Sequence, residues 1–141
     1  MSNPDRPQAP GYLANLMARL FHDVSGAGLR PLGIRPEHFP ILVELWFGDS
    51  EVTRESLCLT QEADAGWIDD LVEGLVAEGL VETDPAGKLK LTEKATAARD
   101  AALQAARRAN DAARNALSED ELDQLMTLMN RVIDALQAAK G

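Results

Sequence analysis

Nine carboxylates, Glu55, Glu62, Asp64, Asp69, Asp70, Glu73, Glu78, Glu82 and Asp84, lie between Glu55 and Gly87 with no Lys or Arg among them. The 14 acids elsewhere are balanced by the chain's 14 Lys and Arg, so this stretch carries the whole net charge of −9. Asp69 and Asp70 are the closest pair, but neighbouring side chains diverge on a helix, which makes them a poor catalytic couple. One cysteine, Cys58, and two histidines, His22 and His38, cannot build a disulfide or a His/Cys metal cluster. Cys58 reads as a small buried hydrophobe. The sequence contains no nucleophile–base pairing, phosphate loop or metal motif, which points to a non-enzymatic protein without a cofactor. The chemistry that remains is recognition: an acid-only surface attracts cationic partners and repels polyanions.

The elements that carry these residues follow from apolar periodicity and punctuation. Leu13, Leu16, Met17, Leu20, Phe21 and Val24 recur at helical spacing after Pro10-Gly11, which predicts a helix over about 11–25 closed by Gly26 and Gly28. A second helix, carrying Phe39, Ile41, Leu42, Leu45 and Trp46, starts near Glu37 so that Pro40 falls in its first turn, where no intrahelical N–H partner is needed. Thr53 caps a short helix over 54–60 with Leu57 and Cys58 inward. A longer helix runs from about Ala65 to Glu78 and stops at Gly79. Short helix, brief turn, longer helix is helix-turn-helix spacing. Residues 80–83 and 88–91 alternate around Asp84-Pro85-Ala86-Gly87 and read as a β-hairpin. Thr92 then caps an Ala-rich helix over about 93–116, and Ser118 with Glu121 forms a capping box for a last helix. That last helix carries Leu122, Leu125, Met126, Leu128, Met129, Val132, Ile133 and Leu136.

The chain has 141 residues, 45% of them hydrophobic and only 4% aromatic, enough for one mainly helical domain with its own core. Residues 1–9 read as a flexible polar arm. No apolar run reaches bilayer length and the N-terminus lacks the order of a signal peptide, so a cytoplasmic protein without a membrane partner is expected. The Ala-rich helix buries little area per residue and the last helix has a wide apolar stripe, so both gain most by packing against another copy.

The order of elements, together with Gly33-Ile34-Arg35-Pro36-Glu37-His38-Phe39, Leu71 and Leu75 before Glu78-Gly79-Leu80-Val81, Leu91-Thr92-Glu93-Lys94 and Leu117-Ser118-Glu119-Asp120-Glu121-Leu122, resembles the MarR family of winged-helix regulators over residues 11–138. The resemblance implies a winged helix-turn-helix of six helices and a small β-hairpin wing in an intertwined homodimer. Residues 37–92 would form the winged domain, and 10–36 with 93–141 the dimerisation helices, through Leu13, Leu16, Leu20, Leu125, Met129, Val132, Ile133 and Leu136. It further implies transcription regulation, duplex DNA as partner, and a small-molecule effector between the dimer helices and the DNA-binding domain.

Carried over residue by residue, the face that would meet DNA or another partner comprises Asp64, Gly66, Trp67, Asp69, Asp70, Glu73, Lys88 and Lys90. Carboxylates cannot donate to phosphate oxygens, and the short wing turn holds no arginine. Two functions follow as expectations. One is a dimeric regulator whose direct DNA binding is weak or degenerate. The other is a winged-helix protein that has lost DNA binding and acts through protein contacts, by sequestering a basic regulator or forming mixed dimers with a relative. Trp67 is expected to pack inward on the second helix; projecting outward with Ile68 inward, it would be an aromatic anchor among acids. His38 is expected to sit in the first turn of the second helix, the alternative being that His22 and His38 line an effector pocket. Arg99, Arg107, Arg108 and Arg114 are expected to pair within the Ala-rich helix or across a dimer.

Overall fold

The computed structural model describes residues 3–141; residues 1 and 2 of the expected 1–9 arm lie outside it, and residues 3–9 precede the first helix. Helix α1 spans Pro10–Leu29, with Pro10 in its first turn, where its missing N–H costs nothing. It is longer than its sequence suggests, running through both Gly26 and Gly28. The reason is packing against α5 (Glu93–Asn115): a Cβ on Gly28 would lie 2.7 Å from the Ala105 Cβ. Glycine costs a helix about 1 kcal/mol relative to alanine, and here that cost accompanies a close approach of two helices.

After a 3-10 turn at Arg30–Leu32, a second 3-10 turn at Pro36–His38 leads into α2, Phe39–Phe47, with Pro40 in its first turn as expected. Ile41 and Leu42 of α2 are buried, and Phe39 meets Trp46 edge to face with centroids 6.0 Å apart. The Trp46 indole N–H donates to the Ala95 carbonyl at 3.1 Å, which ties α2 to the start of α5 and satisfies a half-buried donor.

Helix α3 covers Arg54–Thr60. Thr53 caps it: its hydroxyl accepts from the Ser56 N–H while the Ser56 hydroxyl accepts from the Thr53 N–H. Helix α4, Ala65–Ala77, buries Ile68, Leu71, Val72 and Leu75, the stripe that a 3.6-residue period requires. It ends at Gly79, whose φ of 72° is left-handed.

Strands β1 (Val81–Thr83) and β2 (Leu89–Leu91) pair antiparallel with Val81 opposite Leu91, Glu82 opposite Lys90 and Thr83 opposite Leu89. The Leu89 N–H also donates to the Val52 carbonyl at 2.8 Å, anchoring the hairpin to the segment before α3. Thr92 holds the junction: its hydroxyl donates to the Gly79 carbonyl at 2.6 Å and accepts from Ala95 N–H to cap α5.

Along α5 the buried residues are Ala95, Ala98, Ala102, Ala105 and Ala109, a stripe of methyl groups that lets α1 lie close along it. Helix α6, Glu119–Lys140, is opened by the expected Ser118–Glu121 capping box. None of its residues is buried. The core therefore sits between α2, α3, α4 and the hairpin and along the α1–α5 seam, and α6 contributes an uncovered apolar stripe.

Candidate partner interface on α3, α4 and the hairpin

Asp64 stands at the N-cap of α4, where its carboxylate accepts the Trp67 N–H at 2.9 Å. This acid is occupied in starting the helix, which aspartate does well because the first-turn N–H groups have no other partner. Trp67 follows, 54% exposed, while Ile68 is fully buried. The expected inward packing of Trp67 on α2 is thus corrected. Of two adjacent apolar side chains only one can face the core, and the compact β-branched Ile68 takes that place. Gly66 lies in the same first turn, exposed.

Asp69 pairs with Arg54 of α3 at 2.9 Å, both side chains partly exposed. Asp70 and Glu73 are exposed and make no ion pair among the described residues. On the hairpin, the Asp84 carboxylate accepts from the Ala86 and Lys88 N–H groups, each at 2.9 Å, so it builds the turn. Lys88 reaches Glu51 at 2.5 Å, a contact that raises its ammonium pKa through the hydrogen bond and charge of Glu51. Lys90 lies opposite Glu82 in the strand register. Lys94, at the start of α5, donates to the Glu78 carbonyl at 2.6 Å.

The cations near this face are therefore mostly committed: Arg54, Lys88 and Lys94 each hold an acid or a carbonyl, and Lys90 faces Glu82 across the hairpin. The partners of Arg54 and Lys88 come from neighbouring segments. Glu51 lies outside the acid-only stretch, in a loop, and only the hairpin's docking on Val52 brings it to Lys88.

His38 is 1% exposed. Its Nδ1 accepts a long hydrogen bond from the Arg35 N–H at 3.5 Å, and its Nε2 has no partner among the described residues. That Nε2 abuts α4 at Gly74, where an added Cβ would lie 2.9 Å away. Burial first, then the Arg35 charge, push the imidazole pKa below its ordinary value. His38 occupies the turn leading into α2, as expected. His22 instead borders a small cavity of about 120 Å³ with Phe21, Ser25, Leu29, Phe39 and Asn110.

Among the expected dimerisation residues, Leu13, Leu16 and Leu125 are half-buried, whereas Leu20, Met129, Val132, Ile133 and Leu136 are exposed, Leu136 by 63%. Met17, Leu20, Phe21 and Val24 of α1 and three alanines of α5 line an open apolar groove of about 280 Å³. Of the four arginines expected to pair within α5 or across a dimer, Arg99 pairs with Asp100 and Arg114 with Asp111, whereas Arg107 and Arg108 make no ion pair among the described residues. Among the described residues no helix is long and apolar enough to cross a membrane, and no three His, Cys, Asp or Glu gather as metal ligands.

No protein-family model matches the chain, and none of the curated proteins matches it in sequence. Solved structures do. A MarR transcriptional regulator from Methanosarcina mazei Go1 superposes with a TM-score of 0.71 at 20% identity, over 91% of this chain and 95% of that one. The chain has the MarR-type winged-helix fold. A probable transcriptional regulator from Pseudomonas aeruginosa gives a TM-score of 0.72 at 25% identity, over 89% of this chain and 97% of that one. The PcaV transcriptional regulator from Streptomyces coelicolor, in complex with its natural ligand, gives 0.75 at 21% identity over 96% and 99%. All three are named as transcriptional regulators, the second as a probable one. In the MarR-type fold α3 and α4 are the helix-turn-helix and the β1–β2 hairpin is the wing.

Proposed function

We propose that this chain is a dimeric transcription-regulation protein of MarR type whose direct contact with DNA is weak. The winged unit is residues 37–92, and residues 10–36 and 93–141 are the dimerisation helices. The observation that carries the dimer is α6: 22 residues, none buried, with Met126, Met129, Val132, Ile133 and Leu136 between 39% and 63% exposed. Covering the exposed part of such side chains contributes on the order of 1 kcal/mol each at ~25 cal/mol per Å². The open α1–α5 groove beside Leu20 is a second uncovered apolar surface that another copy can cover.

Weak DNA contact rests on the commitments of the cations. Phosphate binding draws its strength from Lys and Arg displacing condensed counterions, and this face offers Lys90 against exposed Asp70 and Glu73 on α4. One carboxylate can accept from cytosine N4, but several oppose a polyanion. The cavity beside His22 is the place for a small-molecule effector. Its volume of about 120 Å³ is below that of ordinary ligand sites, so only a small effector fits it as it stands. Sedimentation of the purified protein together with DNA retardation at low salt tests the reading: a dimer that retards DNA weakly supports it, and a monomer contradicts it.

The outward Trp67 favours a second reading in which the winged unit works through protein contacts, with a basic regulator or a related subunit in mixed dimers.

A further inference from the structure

Among the described residues, His38 Nε2 is the one buried side-chain polar atom without a hydrogen-bond partner. Native structures pair nearly all such groups, so an orphan of this kind calls for an explanation. The ring's single hydrogen bond is at its other nitrogen, where Nδ1 accepts from the Arg35 N–H at 3.5 Å and closes the turn Pro36–His38. A neutral imidazole that accepts at Nδ1 carries its proton on Nε2. That N–H abuts Gly74 of α4, where only the absence of a Cβ leaves it room. Packing, not hydrogen bonding, therefore seats α4 on this turn.

The geometry points to an acid-sensitive latch, in which a neutral His38 holds α4 against the turn leading into α2 and a protonated His38 withdraws and releases it. A second proton has only Nδ1 to bind. There it turns the acceptor into a donor facing the Arg35 N–H, and it places a full charge on a side chain that is 1% exposed. The surrounding charges give that cation no fixed partner. On its own turn Arg35 repels it, and Glu37 is engaged with Arg35 at 2.6 Å. His22 of α1 bears on Glu37. Glu78 of α4 attracts the proton without bonding to the ring, and it lies with Lys94 of α5 beside Gly33. Glu44, the one charge on α2, accepts from Gln61. Burial first, then the Arg35 charge, hold the imidazole pKa below its ordinary value, so the latch is shut at neutral pH and opens in acid. Gly74 lies seven residues after Trp67 and four before Glu78, which sets all three on one flank of α4. Release of that flank moves the helix that presents Trp67, whatever partner meets it.

The test is an NMR titration of the full-length protein from about pH 7.5 down to about pH 5, the range in which histidine changes charge. It follows the His38 ring, the Trp67 indole N–H and the amides of α5. Trp67 sits two turns from Gly74, about 10 Å along the axis, and so reports on the helix. The indole resonance is expected to move with the same midpoint as the His38 ring while the α5 amides stay in place. Gly74→Ala supplies a comparison without charge: its Cβ, 2.9 Å from Nε2, displaces the ring at neutral pH. In that variant the indole resonance should already stand near the acid position of the unmodified chain. His38→Gln has no proton to gain and should hold the resonance constant across the range. Should His38→Gln fail to fold, the unmodified chain and Gly74→Ala decide the matter. A His38 ring that takes up no proton, or an indole that ignores its titration or still moves in His38→Gln, overturns the inference. So does a Gly74→Ala spectrum that matches the neutral unmodified chain throughout α4, or loss of the α4 and α5 signals together, which marks global unfolding.

Discussion

Arg54 Nη1 lies 2.9 Å from Asp69 Oδ1, so the first helix of the helix-turn-helix spends its one arginine on an acid of the second. In a phosphate-binding surface that guanidinium would be aimed outward. Here the pair is about half exposed and screened, which places its worth at roughly 0.5 kcal/mol. Arg54→Ala should lower the melting temperature by about 2 °C, measured by circular dichroism. A loss above about 8 °C would mean that the pair positions α4 in a way its exposure does not suggest.

Gly28 gives a sharper stability test. Gly28→Ala gains about 1 kcal/mol of helix propensity but drives a methyl group to 2.7 Å from the Ala105 Cβ. Overpacking of this kind costs about 1–3 kcal/mol, so net destabilisation is expected in urea unfolding. Ala105→Gly in the same chain should recover most of it. Gly11→Ala, where an added Cβ meets nothing within 4 Å, should be neutral or stabilising.

His38 sets a pH dependence with a defined sign. Its pKa is lowered in the folded state, by burial first, so the unfolded chain binds the proton more readily. The His38 contribution is therefore fully present above the unfolded value of about 6.5 and is lost as pH falls from there toward the folded value. Arg35 opposes the proton, whereas Glu37 and, from α4, Glu78 favour it. The urea midpoint should fall between pH 7.5 and pH 5.5, and His38→Gln should flatten that fall. An unchanged slope in the variant would assign the effect to other groups.

Val132→Glu places a charge in the middle of the uncovered α6 stripe. Because Val132 is half exposed within one chain, the subunit's own fold should keep its melting behaviour at high dilution. The proposed dimer should dissociate, with at least a hundredfold weaker self-association by sedimentation equilibrium.

Much of the fold was legible because its punctuation is local. Thr53, Thr92 and Ser118 cap the helices expected of them, Pro40 falls in a first turn, and Gly79 stops α4. Each depends on residues within a few positions. What misled or stayed silent depends on distant partners. Gly26 and Gly28 read as a helix end because the sequence does not display Ala105 beside Gly28. Trp67 and Ile68 are adjacent and both apolar, so periodicity left their phase open until the other core residues fixed it. The charge of the candidate face was legible from composition, but the commitments of its cations were not: Arg54 to Asp69 and Lys88 to Glu51 arise only when the helices and hairpin dock.

The most direct test of a MarR-type fold with a face unsuited to phosphate is the salt dependence of duplex DNA binding by the purified protein. Each phosphate contact adds about 0.9 to the log–log slope, and Lys90 from two subunits supplies about 2 at most. The expected result is weak binding at about 50 mM salt with a slope of about 2 or less, rising when Asp70 and Glu73 are replaced by lysine. Tight, sequence-specific binding by the unmodified protein with a slope of about 6 or more would contradict it.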